Sequence, residues 1–212
     1  MKKRTLCSLF LILFLFSAIG LLADATENAA TITLSAESLT IEPNETAVLT
    51  ASGENADSVS WQVIESKVAT ADKTLGASIT LTGVSPGQTA VIARLGDASE
   101  RCAVTVSGIT ITPGTLEIGE TETASLNLAR YGAAADVAAD AWTWSSDNTA
   151  VATVERTETG ASVNAVSVGA ANITCTNGTY SQTCAVTVKE KEFLQGSSRT
   201  ASRSGWRPEA SS

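Results

Sequence analysis

The sequence predicts an all-β protein built from two tandem β-sandwiches. Short apolar segments of about five residues with alternating polarity recur at about ten-residue spacing, with turn residues between them. The whole pattern occurs twice, with a period of about eighty residues, which is the size of a small independent domain. The sequence Cys-Ala-Val-Thr-Val ends both halves, at residues 102–106 and 184–188.

The first residues are typical of a secretory signal peptide. Residues 2–4 are basic, residues 6–22 are apolar, and Ala-Asp-Ala at 23–25 fits a cleavage site between small residues. We therefore expect residues 1–25 to be removed and the mature chain to begin near Thr26. The alternative is an uncleaved membrane anchor, because the apolar stretch is just at the short limit for a span. The Ala-x-Ala site favours cleavage.

Residues 31–106 form the first predicted sandwich. Apolar alternation begins at Ile32 and is interrupted by turn residues such as Ser-Pro-Gly at 85–87. Val59 and Trp61 lie two residues apart, so they share one face of a strand.

Residues 109–188 repeat this pattern and form the second predicted sandwich. The segment Trp-Ser-Ser-Asp-Asn-Thr-Ala-Val at 144–151 has a weaker counterpart at 61–68 with the same Trp-to-Val spacing. The longest mismatch is at 129–141, where the second copy carries an extra Ala-rich loop. Three apolar positions in the opening strands match without a gap: Leu39, Ile41 and Leu49 correspond to Leu116, Ile118 and Leu126.

The segments outside the two sandwiches are short or polar. The join at Ser107-Gly108 has no Pro- or Ser-rich linker, which leaves little freedom between the copies. Residues 189–212 are charged and then rich in Ser, Gly and Arg, so we expect a disordered C-terminal tail. The tail has no long apolar segment, and we expect no membrane insertion of the mature chain.

Composition excludes several classes of function. The chain has a formal net charge of -8 and no histidine. Without histidine, Ser-His-Asp and Cys-His catalysis and His-ligated metal chemistry are excluded within this chain. The negative balance argues against nucleic acid and anionic membrane surfaces as partners.

Four segments of the second copy together carry a family resemblance. In chain order, these segments are Ile-Thr-Pro-Gly-Thr-Leu-Glu-Ile-Gly-Glu-Thr, Trp-Ser-Ser-Asp-Asn-Thr-Ala-Val-Ala-Thr-Val, Ala-Val-Ser-Val-Gly-Ala-Ala-Asn-Ile-Thr and Cys-Ala-Val-Thr-Val. Residues 109–188 thereby resemble a bacterial immunoglobulin-like (Ig-like) domain of group 2. Residues 31–106 resemble a divergent copy, with Gln-Val-Ile-Glu at 62–65 in place of the Ser-rich turn.

This resemblance implies two tandem Ig-like β-sandwiches in a secreted or cell-surface protein. Such modules serve as spacers or adhesion units in invasin- and intimin-like surface proteins, with no catalytic residues and no cofactor. The partner is then an unidentified protein or glycan on another surface. The alternative hypothesis is a carbohydrate-binding accessory protein of an extracellular enzyme system, and an enzyme is the third.

Trp61, Trp144 and Val151 are predicted to be core residues. In an Ig-like sandwich a Trp on this strand packs against the core. The alternative is a sugar-stacking platform, but alternation already accounts for both tryptophans. Tyr131 and Tyr180 are scattered in predicted loops and give a weaker sugar-binding signal.

Acidic side chains near two turns are the candidates for a calcium site, because Ca²⁺ prefers several convergent oxygen ligands. Their spacing is irregular, and we interpret them as solvated surface, with no metal site predicted. The residues concerned are Asp136, Asp140 and Asp147, and Glu117, Glu120 and Glu122.

Three cysteines remain in the mature chain. Cys175 and Cys184 are predicted to lie on one face of neighbouring strands, where a disulfide is possible in an oxidising compartment. Cys102 matches Cys184, but Ala93 stands at the place of Cys175, so Cys102 has no partner within its copy and is expected to be a buried free thiol. Whether the bridge forms depends on the distance between the two Cα atoms, which must stay within about 7 Å.

Overall fold

The structure is a computed structural model that describes residues 31–191. The predicted signal peptide, at 1–25, and most of the predicted tail lie outside the described residues. Contacts divide the described chain into two compact units, which are described separately. The second unit consists of Thr105 and the residues after it together with Ser85–Gln88, and the remainder belongs to the first.

The first unit is a sandwich of two four-stranded sheets, with strand orders β1-β3-β6-β5 and β2-β8-β7-β4. Short alternating segments form these strands, and Leu49, Ile79 and Leu81 are fully buried between the sheets. The strands are β1 (Thr33–Leu34), β2 (Ser38–Ile41), β3 (Thr46–Ser52), β4 (Ser60–Val63), β5 (Ala69–Ala71), β6 (Ser78–Gly83), β7 (Gly87–Leu95) and β8 (Ala98–Val106). A short 3₁₀ turn, Ala56–Ser58, precedes β4.

The second unit repeats this arrangement, with strand orders β9-β11-β14-β13 and β10-β16-β15-β12. Two 3₁₀ turns, Gly132–Asp136 and Ala139–Ala141, occupy the connection from β11 to β12. The strands are β9 (Gly108–Thr112), β10 (Thr115–Gly119), β11 (Thr123–Tyr131), β12 (Thr143–Ser146), β13 (Ala152–Arg156), β14 (Gly160–Ala165), β15 (Gly169–Thr176) and β16 (Ser181–Lys189).

The two units have equivalent sheets, strand for strand, so the prediction of two Ig-like sandwiches is confirmed. We call them the first sandwich (β1–β8) and the second sandwich (β9–β16). The strand register supports the alignment of the copies, since Trp61 pairs with Ala93 as Trp144 pairs with Cys175.

Strict alternation gives the last strand its two faces. In β16, Cys184, Val186 and Val188 are buried while the residues between them are exposed. Strand β10 pairs with β16 in parallel, and β15 pairs with it antiparallel. A helix with the length and apolar character needed to span a bilayer is absent from residues 31–191.

Candidate functional site

Three of the predicted core residues lie inside their sandwiches. Trp61 has 5% of its surface exposed, Val151 7% and Cys102 none. The indole Nε1–H of Trp61 donates a hydrogen bond of 2.7 Å to the carbonyl oxygen of Gly76. This indole is therefore both packed and satisfied, as a buried tryptophan usually is.

The second sandwich places its tryptophans differently. Trp142, one residue before β12, is 3% exposed, whereas Trp144 is only partly buried and packs against the edge of the core. The ring of Trp142 stacks on that of Tyr180, with centroids 6.5 Å apart. Trp142 thus fills the interior, and Trp144 keeps part of its indole surface in contact with solvent.

The extra Ala-rich loop folds into an ordered structure. Its chain turns at Gly132, which has a φ of +55°, and a Cβ there would collide with the Ser107 side chain. Glycine adopts such a φ without steric cost. Ala134 is fully buried beneath the loop, and the guanidinium of Arg130 donates a 2.8 Å hydrogen bond to the carbonyl oxygen of Val137.

A cleft of about 70 Å³ lies at this end of the second sandwich. Strand β11, the residues around the start of β12, and the turn between β13 and β14 contribute to its walls. We call it the end cleft. The side chains that matter for its chemistry are those of Leu128, Arg130, Trp142, Trp144, Arg156 and Glu158.

Each of the two arginines lies on the same strand face as the apolar residues that precede it. Arg130 follows Leu126 and Leu128 at two-residue intervals along β11, and Arg156 follows Val154 along β13. Residues at such intervals lie on the same face of a strand. Leu126 is buried, so this face is the one that points between the sheets, and both arginines line the end cleft. Side chains that look like surface residues in the sequence therefore line the cleft.

The end cleft contains polar groups with few partners inside the protein. The Nε1–H of Trp142 is buried and has no hydrogen-bond partner among residues 31–191. An unpaired buried donor typically costs about 1–3 kcal/mol. Neither cleft arginine forms an ion pair with a carboxylate within residues 31–191.

The first sandwich lacks this arrangement. Val59, which is fully buried, stands at the place of Trp142, and its connection from β3 to β4 is shorter. Lys73 lies two residues beyond the end of β5 and corresponds to Arg156 in β13. The end cleft is thus a feature of the second copy.

Four of the six acidic residues near the two turns make separate structural contacts, among them Glu117 in its ion pair with Lys189. Asp147 accepts hydrogen bonds of 2.7 and 2.8 Å from the backbone and side-chain nitrogens of Asn172, and these bonds lower the pKa of its carboxyl group. Glu122 accepts a bond from the Gly119 amide, and Glu120 one from the Val168 amide. Within residues 31–191, no group of three or more potential ligands is placed to hold a metal ion.

The three mature-chain cysteines are buried and free in the structure. Cys184 pairs directly with Ile173, and Cys175 with Gln182, so the two thiols are diagonal neighbours. Diagonal positions are about 7–8 Å apart, at or beyond the limit of about 7 Å for a disulfide. Burial raises the pKa of the Cys175 thiol to about 11, although the nearby Arg156 charge acts in the opposite direction. The register therefore favours free thiols, and the predicted bridge remains to be tested.

A bacterial Ig-like domain (group 2) family model matches the chain twice, at residues 28–106 and 105–188. No curated protein matches the chain.

Solved structures of other proteins align with about three quarters of the chain. Domains 4 and 5 of the S-layer protein SbsC align over 75% of this chain and 98% of that chain, with 17% identity and a TM-score of 0.35. The I9–I11 tandem of titin aligns over 76% and 67%, with 17% identity and a TM-score of 0.28. The four N-terminal Ig domains of Dscam1 align over 73% and 43%, with 14% identity and a TM-score of 0.29.

Proposed function

The chain belongs to the family of bacterial Ig-like domains of group 2, and we propose that it is a secreted or cell-surface, non-catalytic interaction module. In this proposal the second sandwich supplies the contact surface for a protein or glycan on another surface. The first sandwich serves as a spacer. The basic start, apolar stretch and Ala-x-Ala site of the first 25 residues support export.

The observation that carries the proposal is the ordered connection from β11 to β12. Loops held by a rigid sheet scaffold commonly carry binding residues. This loop is fixed by buried Ala134 and by the hydrogen bond from Arg130, while Ala135, Ala138 and Asp140 are exposed. The loop therefore presents a defined surface whose shape is already set before a partner arrives, which lowers the entropic cost of binding.

A second candidate function is that of a carbohydrate-binding accessory protein. The part-exposed indole of Trp144 beside the end cleft favours it. Binding sites for small ligands are commonly lined by aromatic side chains with a few polar groups. The two candidates differ in the surfaces they bind, so one array experiment separates them.

The test uses the mature chain on arrays of glycans and extracellular proteins. Ala135→Arg and Ala138→Arg place bulky charged side chains on the exposed loop, where surface substitutions have little effect on stability. Ser99→Arg, at an exposed position of the first sandwich, is the matched control. We expect saturable binding that the loop variants weaken at least tenfold and the control leaves unchanged.

Three outcomes decide against parts of this proposal. Binding that persists in both loop variants places the contact surface elsewhere. Binding to glycans alone selects the carbohydrate-binding alternative. Absence of binding on every surface leaves a spacer role and removes the interaction role.

A further inference from the structure

We propose that the end cleft of the second sandwich binds the carboxylate group of an acidic sugar residue. The inference rests on the proposed interaction function and names a ligand class for it. Four features of the cleft support it: unpaired positive charge, a buried donor, a matching volume and a rim suited to a sugar ring.

The first feature is charge. Arg156 makes no hydrogen bond or ion pair within residues 31–191, and Arg130 makes one hydrogen bond, to Val137. A guanidinium has five N–H donors in a planar fork that matches a carboxylate. Two such groups at one cleft in a chain with a net charge of -8 are a local concentration of positive charge. An anion is the ligand that this charge favours.

The second feature is the indole of Trp142. Trp142 lines the cleft and its unpaired Nε1–H is buried, so in this proposal the ring shifts on binding and brings this donor to a ligand oxygen. An ionised carboxylate only accepts hydrogen bonds, and it has lone pairs for the indole and for a guanidinium at once. The donors around the cleft thus require a ligand group that carries acceptors.

The third feature is size. The cleft has a volume of about 70 Å³, and a water molecule occupies about 30 Å³ of liquid. This space is large enough for a carboxylate group. In the proposal the acidic group enters the cleft and the sugar ring lies against its rim.

The fourth feature is the rim, which distinguishes a sugar from an acidic peptide. Trp144 offers part of its ring to an apolar ring face, and the exposed Thr157 and Thr159 have hydroxyl groups without hydrogen bonds in residues 31–191. Hydroxyl groups both donate and accept, so they can pair with the hydroxyls of a sugar. A sugar acid has both an apolar ring face and several hydroxyl groups, so it can use both parts of this rim.

One residue opposes the proposed ligand. Glu158 lines the cleft on the turn between β13 and β14 and forms no ion pair with either arginine. Its negative charge repels a carboxylate, so its removal should strengthen binding. A purely structural role for the cleft predicts no such effect.

The test is a titration of the mature chain with glucuronate at physiological ionic strength. The indole N–H resonances of Trp142 and Trp144 are followed by ¹H–¹⁵N correlation spectroscopy. A ligand of this size at a shallow site should bind with a dissociation constant on the order of 1 mM. We expect saturable shifts of both resonances with glucuronate, and none with glucose or glutamate at equal concentrations.

Variants assign the response to individual residues. Arg156→Ala should weaken binding about tenfold, because a charge-assisted bidentate contact is lost. Arg156 is exposed, so the fold is not at risk. Lys73→Ala, its counterpart in the first sandwich, is the matched control and should change nothing. Trp142→Phe, followed on the Trp144 resonance, should weaken binding about fivefold, and Glu158→Gln should strengthen it about twofold to fivefold.

The outcomes separate this inference from the proposed function. Equal shifts with glucose, or an Arg156→Ala variant that binds like the wild type, overturn the carboxylate site. Equal shifts with glutamate overturn the assignment to a sugar. If glucuronate fails while the loop variants still abolish binding on the arrays, this inference is wrong and the proposed function stands.

Discussion

Trp61 and Trp142 are a matched pair of buried indoles that differ in one respect. Their exposed fractions are 5% and 3%, so both rings are inside a sandwich. The Nε1–H of Trp61 donates to the Gly76 carbonyl at 2.7 Å, whereas that of Trp142 has no partner among the described residues. Replacing each by Phe removes the N–H group in both cases but removes a hydrogen bond in only one.

The expected changes in the free energy of unfolding follow from this difference. Both substitutions lose apolar contact and leave a small void, at a cost of about 1–2 kcal/mol. Trp61→Phe also loses a hydrogen bond and strands the Gly76 carbonyl, which adds about 1–2 kcal/mol. Trp142→Phe removes an unpaired buried donor, which returns about 1–3 kcal/mol. We therefore expect a loss of about 2–4 kcal/mol for Trp61→Phe, and for Trp142→Phe a change between a loss of about 1 kcal/mol and a gain of about 2 kcal/mol.

Thermal unfolding of the mature chain, followed by circular dichroism and calorimetry, measures both variants. For a domain of this size, 1 kcal/mol corresponds to a shift in melting temperature of about 4–8 °C. The transition of the first sandwich should thus fall by about 8–32 °C in Trp61→Phe. Equal losses in the two variants would refute the reasoning, because they would show that the Trp142 indole is satisfied in the folded protein.

Three further predictions concern Trp144 and the cysteines. Trp144→Ala should lower stability by less than the about 3–5 kcal/mol typical of a fully buried aromatic, because its ring is partly exposed; urea unfolding measures this, and a larger loss would place the ring in the core. The native thiols of Cys102, Cys175 and Cys184 should resist labelling at pH 8, and denaturation without reductant should release three thiols, whereas one thiol would show the Cys175–Cys184 bridge. Because burial raises the pKa of Cys175 from 9.0 to about 11, its neutral thiol stabilises the fold fully below pH 9.0, and this contribution is lost as the pH rises through 11. Melting temperatures between pH 8 and 11 should therefore fall less steeply in Cys175→Ala than in the wild type.

The fold could be predicted from the sequence because strands leave a direct trace in it. Side chains alternate with a period of two, so the buried column of β16 is visible as Cys184, Val186 and Val188. The duplication then supplied the domain organisation, since the two copies could be compared strand by strand. The two units have the same strand order in their sheets, as the match between the two copies of the sequence predicts.

The depth of side chains could not be predicted in the same way. Alternation places Trp142 and Trp144 on one face, but it does not say which of them lies under the opposite sheet. The structure buries Trp142 more deeply, and the ring of Tyr180 stacks on it. How deeply a side chain is buried depends on where the strands of the opposite sheet end. This is a property of the assembled sandwich and not of one strand.

The end cleft was missed because its arginines resemble surface residues in the sequence. Alternation from Leu126 would have placed Arg130 on the inward column, and alternation from Val154 would have placed Arg156 there. Charged residues are rarely buried without partners, so the usual interpretation is a solvated side chain. The second 3₁₀ turn of the Ala-rich loop, whose Ala139 lines the cleft, left no comparable pattern.

We expect the second half of the chain to be a complete domain with its own core. Calorimetry of a polypeptide of residues 105–191 tests this directly, because that segment includes β9–β16 and the whole end cleft. We expect one cooperative transition, with calorimetric and van't Hoff enthalpies that agree. A polypeptide with the circular dichroism of a coil and no cooperative transition would contradict it.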